Sequence, residues 1–409
     1  MKHLSILLSL TLLLSWLTAC NPNDPIATVT VNVKTLYPAT YNQPNAAGVR
    51  VTLTNTADAS STSATTDATG QATFTDVLPG TYNVAASRSL TEAEAAALTG
   101  ISGRVELNAS QTNVQILEAP NPRLIELRLS GSPLGSLVIK EVYYTGSRTP
   151  AGGTYFSDQF VEIYNNSTDT LFLDGLCIAD AYGIAGLINP TSRPSEFGTD
   201  PATQGTFQQN VYVNSVWRIP GTGRQRPLAP GRSIIIAQDG VNHRETALNP
   251  NSPVDLSTAD WETFNERPDG RDADSPSVPN LERLYFTGGF DWLLPVFGPG
   301  LIIFRTDNFD ALARVAIPGA AATVQPRIRV PNNLVIDAFE ALQNGNSGPF
   351  KRIPTALDAG FVFADDTYNR QSFRRKTAQT IAGRRVLQDS NNSTNDFEKL
   401  AAPTPRSFN

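Results

Sequence analysis

Cysteine and histidine are nearly absent from this chain: two of each in 409 residues, beside a single methionine at the start. A zinc centre needs several His or Cys ligands, and Ser-His-Asp or Cys-His catalysis needs a histidine on a rigid frame. One histidine, His243, lies beyond the first twenty residues, in the polar stretch QDGVNHRE, so both classes are excluded by counting. Cys20 and Cys177 are the two thiols. Cys177 stands between Leu176 and Ile178 and reads as a buried, inert side chain, leaving no intramolecular disulfide. Charge is sparse as well: 32 Lys and Arg face 38 Asp and Glu, a net charge of −6 with no basic block, which argues against a nucleic-acid partner. The densest basic group, Arg370, Arg374, Arg375, Lys376, Arg384 and Arg385, reads as solvated strand faces. The one long hydrophobic run, residues 4–17, falls short of the roughly 20 residues that a spanning helix requires.

What is present at the start is an export signal. Lys2 and His3 precede the apolar run, which ends in Leu17-Thr18-Ala19-Cys20. That tetrapeptide resembles a bacterial lipobox. The resemblance implies removal of residues 1–19 and acylation of Cys20, with residues 20–25 as a tether. Acyl chains contributing about 0.8 kcal/mol per buried methylene hold a folded domain at a membrane without a spanning helix. Asn21 after the cysteine favours the outer membrane by the sorting pattern of such lipoproteins, without selecting a membrane face.

Residues 26–119 read as a small β-domain. ATVTVNVKTL alternates, GVRVTLTN follows a turn, and TTDATGQATFTDVLPGTYNV supplies two further strands. This stretch resembles the carboxypeptidase-regulatory type of prealbumin-like sandwich, in which Gly70 and Gly80 supply positive-φ turns while Phe74 and Tyr82 fill the space between sheets. Thr91 and Glu94 form a capping box that predicts a helix over 92–99. Residues 120–136 read as a linker or a shared strand.

Residues 137–409 open with LVIKEVYYTG and DQFVEIYNN, two apolar strands each carrying one acid, Glu141 and Glu162. Near the other end, RQSFRRKT precedes GRRVLQDSNNSTNDFEKLAAPTPRSFN. The pair resembles a lamin-tail domain, an immunoglobulin-like β-sandwich, with Arg374, Asp389, Asn391, Asn392, Asp396, Phe397, Thr404 and Pro405 carrying the match and Arg406 replacing its usual glycine. Asp337 occupies the place of that family's aspartate near a strand end. Long insertions are expected at about 180–231 and 241–281. The fold class is therefore all-β, a prealbumin-like sandwich followed by an elaborated lamin-tail-like one, an arrangement resembling lipoproteins of Bacteroidetes-type bacteria.

Three groups could carry chemistry. Asp269, Asp272 and Asp274 place three carboxylates in one loop, a hard-cation ligand set set aside in favour of a solvated acidic loop. Glu141 and Glu162 could form the paired carboxylates of a hydrolase, although outward, solvent-facing positions are the simpler expectation. Tyr212, Trp217, Trp261, Phe264, Tyr285, Phe286, Phe290 and Trp292 fall in or beside the insertions, as a binding face or as a mini-core. The sequence thus points to a non-enzymatic, cofactor-free binding or accessory protein, anchored through acyl chains on Cys20, with an outer-membrane transporter, a glycan or a protein as partner. The alternative is a surface hydrolase using Glu141 and Glu162.

Overall fold

The computed structural model describes residues 27–38, 41–99, 105–118, 123–133, 136–167, 170–189, 191–272, 274–381 and 383–408. The signal run, Cys20 and the tether lie outside the described residues. So do Pro120 and its neighbours, residues 119–122, at the expected hinge. The architecture is mostly β, with few and short helices. Among the described residues no helix is long and apolar enough to cross a membrane.

The first sandwich packs a three-stranded sheet on a five-stranded one. Val29–Leu36 lies centrally in the smaller sheet, between Gln71–Val77 and Arg123–Arg128. Its burial alternates strictly, with Val29, Val31 and Val33 inward, which is the period-2 pattern visible in the sequence. The larger sheet runs Ser61–Thr65, Arg50–Asn55, Gly80–Leu90, Val105–Ile116, Ser130–Pro133. Val51, Leu53, Phe74, Tyr82 and Val84 meet between the sheets. Residues 123–133 supply one strand to each sheet and so close this sandwich rather than opening the next.

Gly70 has φ +79°, and a Cβ there would stand 2.7 Å from the Thr35 carbonyl, so the turn requires glycine. Gly80 differs from expectation: it begins a strand without a positive φ, and Tyr82 beside it sends its hydroxyl 2.9 Å to the Leu78 carbonyl. The capping box forms as expected on Glu92–Thr99: the Thr91 amide donates to Glu94 at 2.8 Å, and the Glu94 amide donates to the Thr91 hydroxyl at 3.3 Å. The two sandwiches meet across a polar cleft of about 510 Å³, lined by Arg50, Ser63 and Arg88 from one side and Lys376, Gln388 and Asn395 from the other.

The second sandwich faces a six-stranded sheet against a seven-stranded one. The six-stranded order is Trp261–Glu262, Ser233–Ala237, Phe160–Asn165, Leu137–Tyr143, Ser372–Arg375, Phe397–Leu400. Its partner runs Arg314–Val315, Arg327–Pro331, Asn210–Arg218, Cys177–Ala181, Gly300–Phe304, Val335–Glu340, with Glu282–Tyr285 also paired to Asn210–Arg218. Asn210–Arg218, inside the insertion expected at about 180–231, belongs to the sheet. It is a nine-residue strand inside the sheet, buried on both faces, so it shows no alternation to read.

Candidate functional site

Glu141 and Glu162 sit opposite one another on adjacent antiparallel strands, with a β-bulge between Glu162 and Ile163 in the register. The bulge leaves Lys140 as the extra residue on its strand, so Lys140 and Glu141 both stay with Glu162. All three side chains are completely buried, which corrects the expectation that the acids face solvent. The reason is the C-terminal tail. Thr404 donates its amide to Glu141 at 2.9 Å, Arg406 donates its amide to Glu162 at 3.2 Å, and the Phe408 ring lies 4.2 Å from the Lys140 ammonium. Ser372 adds a hydroxyl to Glu141 at 2.7 Å, and Lys140 reaches Glu162 at 2.8 Å. Burial pushes the Glu141 carboxyl above the usual range, with the Ser372 and Thr404 hydrogen bonds opposing it. Both acids are fully buried and accept hydrogen bonds from donors of their own chain.

The ending that carries Arg374, Asp389, Asp396 and Phe397 folds around Arg375, the neighbour of Arg374. Within Ser372–Arg375, residues 372, 373 and 375 are buried, while Arg374 is half-buried and pairs with Glu398. The Arg375 guanidinium meets Asp337 at 2.6 Å, Asp389 at 3.3 Å and Asp396 at 3.4 Å, and lies over the Phe397 ring. Asn391 takes φ +50°, and Asn392 caps the short helix Ser393–Asp396. Phe397 fills the sandwich end, 4.9 Å from Phe339. Arg406, after Pro405, adopts φ +63°, so the backbone keeps the conformation that the missing glycine would favour. Its guanidinium pairs with Asp260 at 2.8 Å. The other members of the basic group are not uniformly solvated either: Arg384 reaches the Asn166 carbonyl at 3.0 Å, and Arg385 covers the Phe408 ring.

The aromatic set forms no exposed face. Trp217, Trp261 and Trp292 enter the main core, and Tyr212 stacks on Phe197 at 3.9 Å in a smaller one. Phe264, Tyr285, Phe286 and Phe290 are half-buried, with Phe286 edge-on to Trp217 and Arg271 over Phe290. The exposed aromatics are ones the sequence did not single out. Phe297 and Phe363 are each 37% exposed, and Phe297 lines a shallow cleft of about 270 Å³ with Gln343, Asn344, Asp365 and Asp366. Cys177 is fully buried, and burial pushes its thiol up to about 12.

The acidic loop divides. Asp269 is held by Arg267, at 2.7 Å, and Asp274 accepts from Asn280 at 2.7 Å; both face solvent. Asp272 turns inward and joins Asp239 and Asp291, so that ligand-capable oxygens, one from each, lie within 4.8 Å of one another. Asp239 follows Ser233–Ala237, where His243 secures the turn. The His243 Nε2 donates to the Asp239 carbonyl at 3.0 Å, and Nδ1 accepts the Tyr155 hydroxyl at 2.7 Å. That arrangement holds a neutral imidazole, and burial pushes its pKa down to about 4. Gly240 must be glycine, because a Cβ would stand 2.6 Å from the Val278 side chain. Asp291 is fixed by its neighbour Trp292, whose indole donates to Asp180 at 2.9 Å. Burial first, then the mutual repulsion of the acids, pushes Asp239 up to about 8 and Asp291 up to about 7. Asp272 rises to about 6, from burial and the nearby Asp274. The sequence could not bring this trio together, since Asp239 and Asp291 come from separate segments.

Residues 229–404 match DUF4876, a family of proteins of unknown function. The DUF4876 match spans the acidic trio, the Arg375 cluster and Thr404. Residues 33–115 match the second β-sandwich domain of NOMO1-like subunits of the BOS complex. A crystal structure of a DUF4876 family protein from Bacteroides thetaiotaomicron is similar over 90% of this chain and 94% of that one, at 27% identity and TM-score 0.56. The major pilin SpaD of Corynebacterium diphtheriae aligns over 46% of this chain and 51% of its own, at 10% identity and TM-score 0.18. No curated protein matches the chain.

Proposed function

We propose that this is a lipid-anchored, non-enzymatic binding or accessory protein of the outer membrane, of the Bacteroidetes lipoprotein type. A carboxypeptidase-regulatory-like sandwich spaces a lamin-tail-like sandwich from the membrane. The observation that carries the non-enzymatic reading is the complete burial of Glu141 and Glu162 under the chain's own tail. The Leu-Thr-Ala-Cys motif at 17–20 supports the anchor, and the similarity to a Bacteroides thetaiotaomicron protein agrees with a bacterial lipobox. For a ligand, the cleft beside Phe297 combines an exposed ring with amide and carboxylate groups, the combination by which surface modules hold glycans or protein partners. An outer-membrane transporter is a further partner of the same class.

The test is capture of the full-length chain from solubilised outer membranes after crosslinking in intact cells, run alongside a glycan array. A reproducible envelope partner, or a glycan whose binding is lost in Phe297→Ala, supports the reading. Recovery of neither contradicts it, as does polysaccharide hydrolysis that Glu141→Gln abolishes.

A further inference from the structure

We propose that Asp239, Asp272 and Asp291 form a calcium site that locks the loops of the second sandwich together. Two of these acids are held alike. Asp272 accepts the Asn265 amide on Oδ2 at 2.8 Å, and Asp291 accepts the Gln238 side-chain amide on Oδ2. In both, Oδ1 is buried without a hydrogen-bond partner, and the residues are only 5% and 6% exposed. Gln238, itself 4% exposed, leaves its Oε1 buried and unpartnered beside Asp291. Buried oxygens without donors are costly, and three converging carboxylates make them more so.

Among the described residues no ion pair reaches any of the three acids. The nearby bases are engaged elsewhere: Arg267 on Asp269, Arg271 over Phe290, and Arg283 on the Asn265 side-chain oxygen. The missing partner is therefore a cation. The donors are all oxygens, which selects a hard ion over zinc or copper. Oxygens within 4.8 Å of one another fit on a coordination sphere of radius about 2.4 Å, the calcium range. Unpaired carboxylate and amide oxygens and waters complete such a shell.

This site is independent of the lipid anchor and of any ligand at Phe297. It is tested on the purified full-length chain by melting in calcium, in magnesium and in chelator. A second readout is terbium luminescence excited through Trp292, the neighbour of Asp291. Calcium is expected to raise the melting temperature over chelator, and terbium emission is expected to appear and be displaced by calcium. Asp291→Asn should remove both effects, while Asp269→Asn, outside the trio, should leave both intact. Coincident melting curves in calcium and chelator with no terbium emission would overturn the site, and an equal response to magnesium would overturn its assignment to calcium. If Asp291→Asn does not fold, Asp272→Asn and the wild-type comparison decide.

Discussion

Asp272 and Asp291 each rest one carboxylate oxygen on an amide donor and turn the other, Oδ1, into the interior with no partner. Nothing else among the described acids of the second sandwich combines burial, convergence and the lack of a basic partner in this way. Glu141 and Glu162 are buried too, but Lys140 and the C-terminal tail satisfy them.

That contrast has a pH consequence. Asp239, Asp291 and Asp272, at about 8, 7 and 6, stand above an ordinary carboxyl, so between pH 4 and 8 the folded state holds more protons than the unfolded one. Their stabilisation is complete below the unfolded value and is lost as pH rises through the folded ones. His243, pushed down to about 4, acts oppositely up to about pH 6.5. In chelator, stability is therefore expected to fall from pH 6.5 to 8, and to fall less in Asp291→Asn. Urea titrations across that range check it; a wild-type slope equal to that of the variant contradicts it.

Arg375 and Arg374 are adjacent, yet they should behave differently. Arg375→Met removes the cation from Asp337, Asp389 and Asp396, and stranding buried charges costs about 3–5 kcal/mol. Arg374→Ala breaks a pair with Glu398, which is substantially exposed, and should cost about 1 kcal/mol or less. Denaturant midpoints of the two variants give the comparison, and similar losses would remove Arg375 from its central place.

The tail acts as a lid on the six-stranded sheet. Glu162→Ala leaves the Lys140 ammonium buried without its partner, again a loss of about 3–5 kcal/mol. Deleting residues 403–409 should expose both glutamates and quicken hydrogen exchange in Leu137–Tyr143 and Phe160–Asn165. Unchanged exchange in those strands after the deletion would show that the tail covers nothing essential.

Trp217 and Phe297 separate core from surface. Trp217→Ala should cost about 3–5 kcal/mol, as expected for a large side chain with no exposure. Phe297→Ala should change stability by less than about 0.5 kcal/mol while weakening ligand capture. Thermal melts paired with the binding assay distinguish them, and a destabilised Phe297→Ala would place that ring in the fold rather than at a binding surface.

How far a strand's burial can be read from its sequence depends on what covers its second face. Val29–Leu36 alternates because one face is wet, so the first sandwich was legible residue by residue. Leu137–Tyr143 is buried throughout, because a tail 263 residues away from Glu141 covers its outer face, and local patterning carries no trace of that. Asn210–Arg218 is likewise buried on both faces and offers no alternation. Arg374 and Arg375 look alike in the sequence until the pleat turns Arg375 inward. The acidic trio draws one member from each of three segments, so of the loop acids Asp269, Asp272 and Asp274 only Asp272 belongs to it.

Anchoring through Cys20 is measured most directly by fractionation of cells carrying the wild-type chain or Cys20→Ala, with metabolic labelling by a fatty-acid analogue. The wild type is expected in the outer-membrane fraction and in the detergent phase, labelled, and the variant unlabelled and outside both. Equal partitioning of the two chains, with no label on either, would contradict the account.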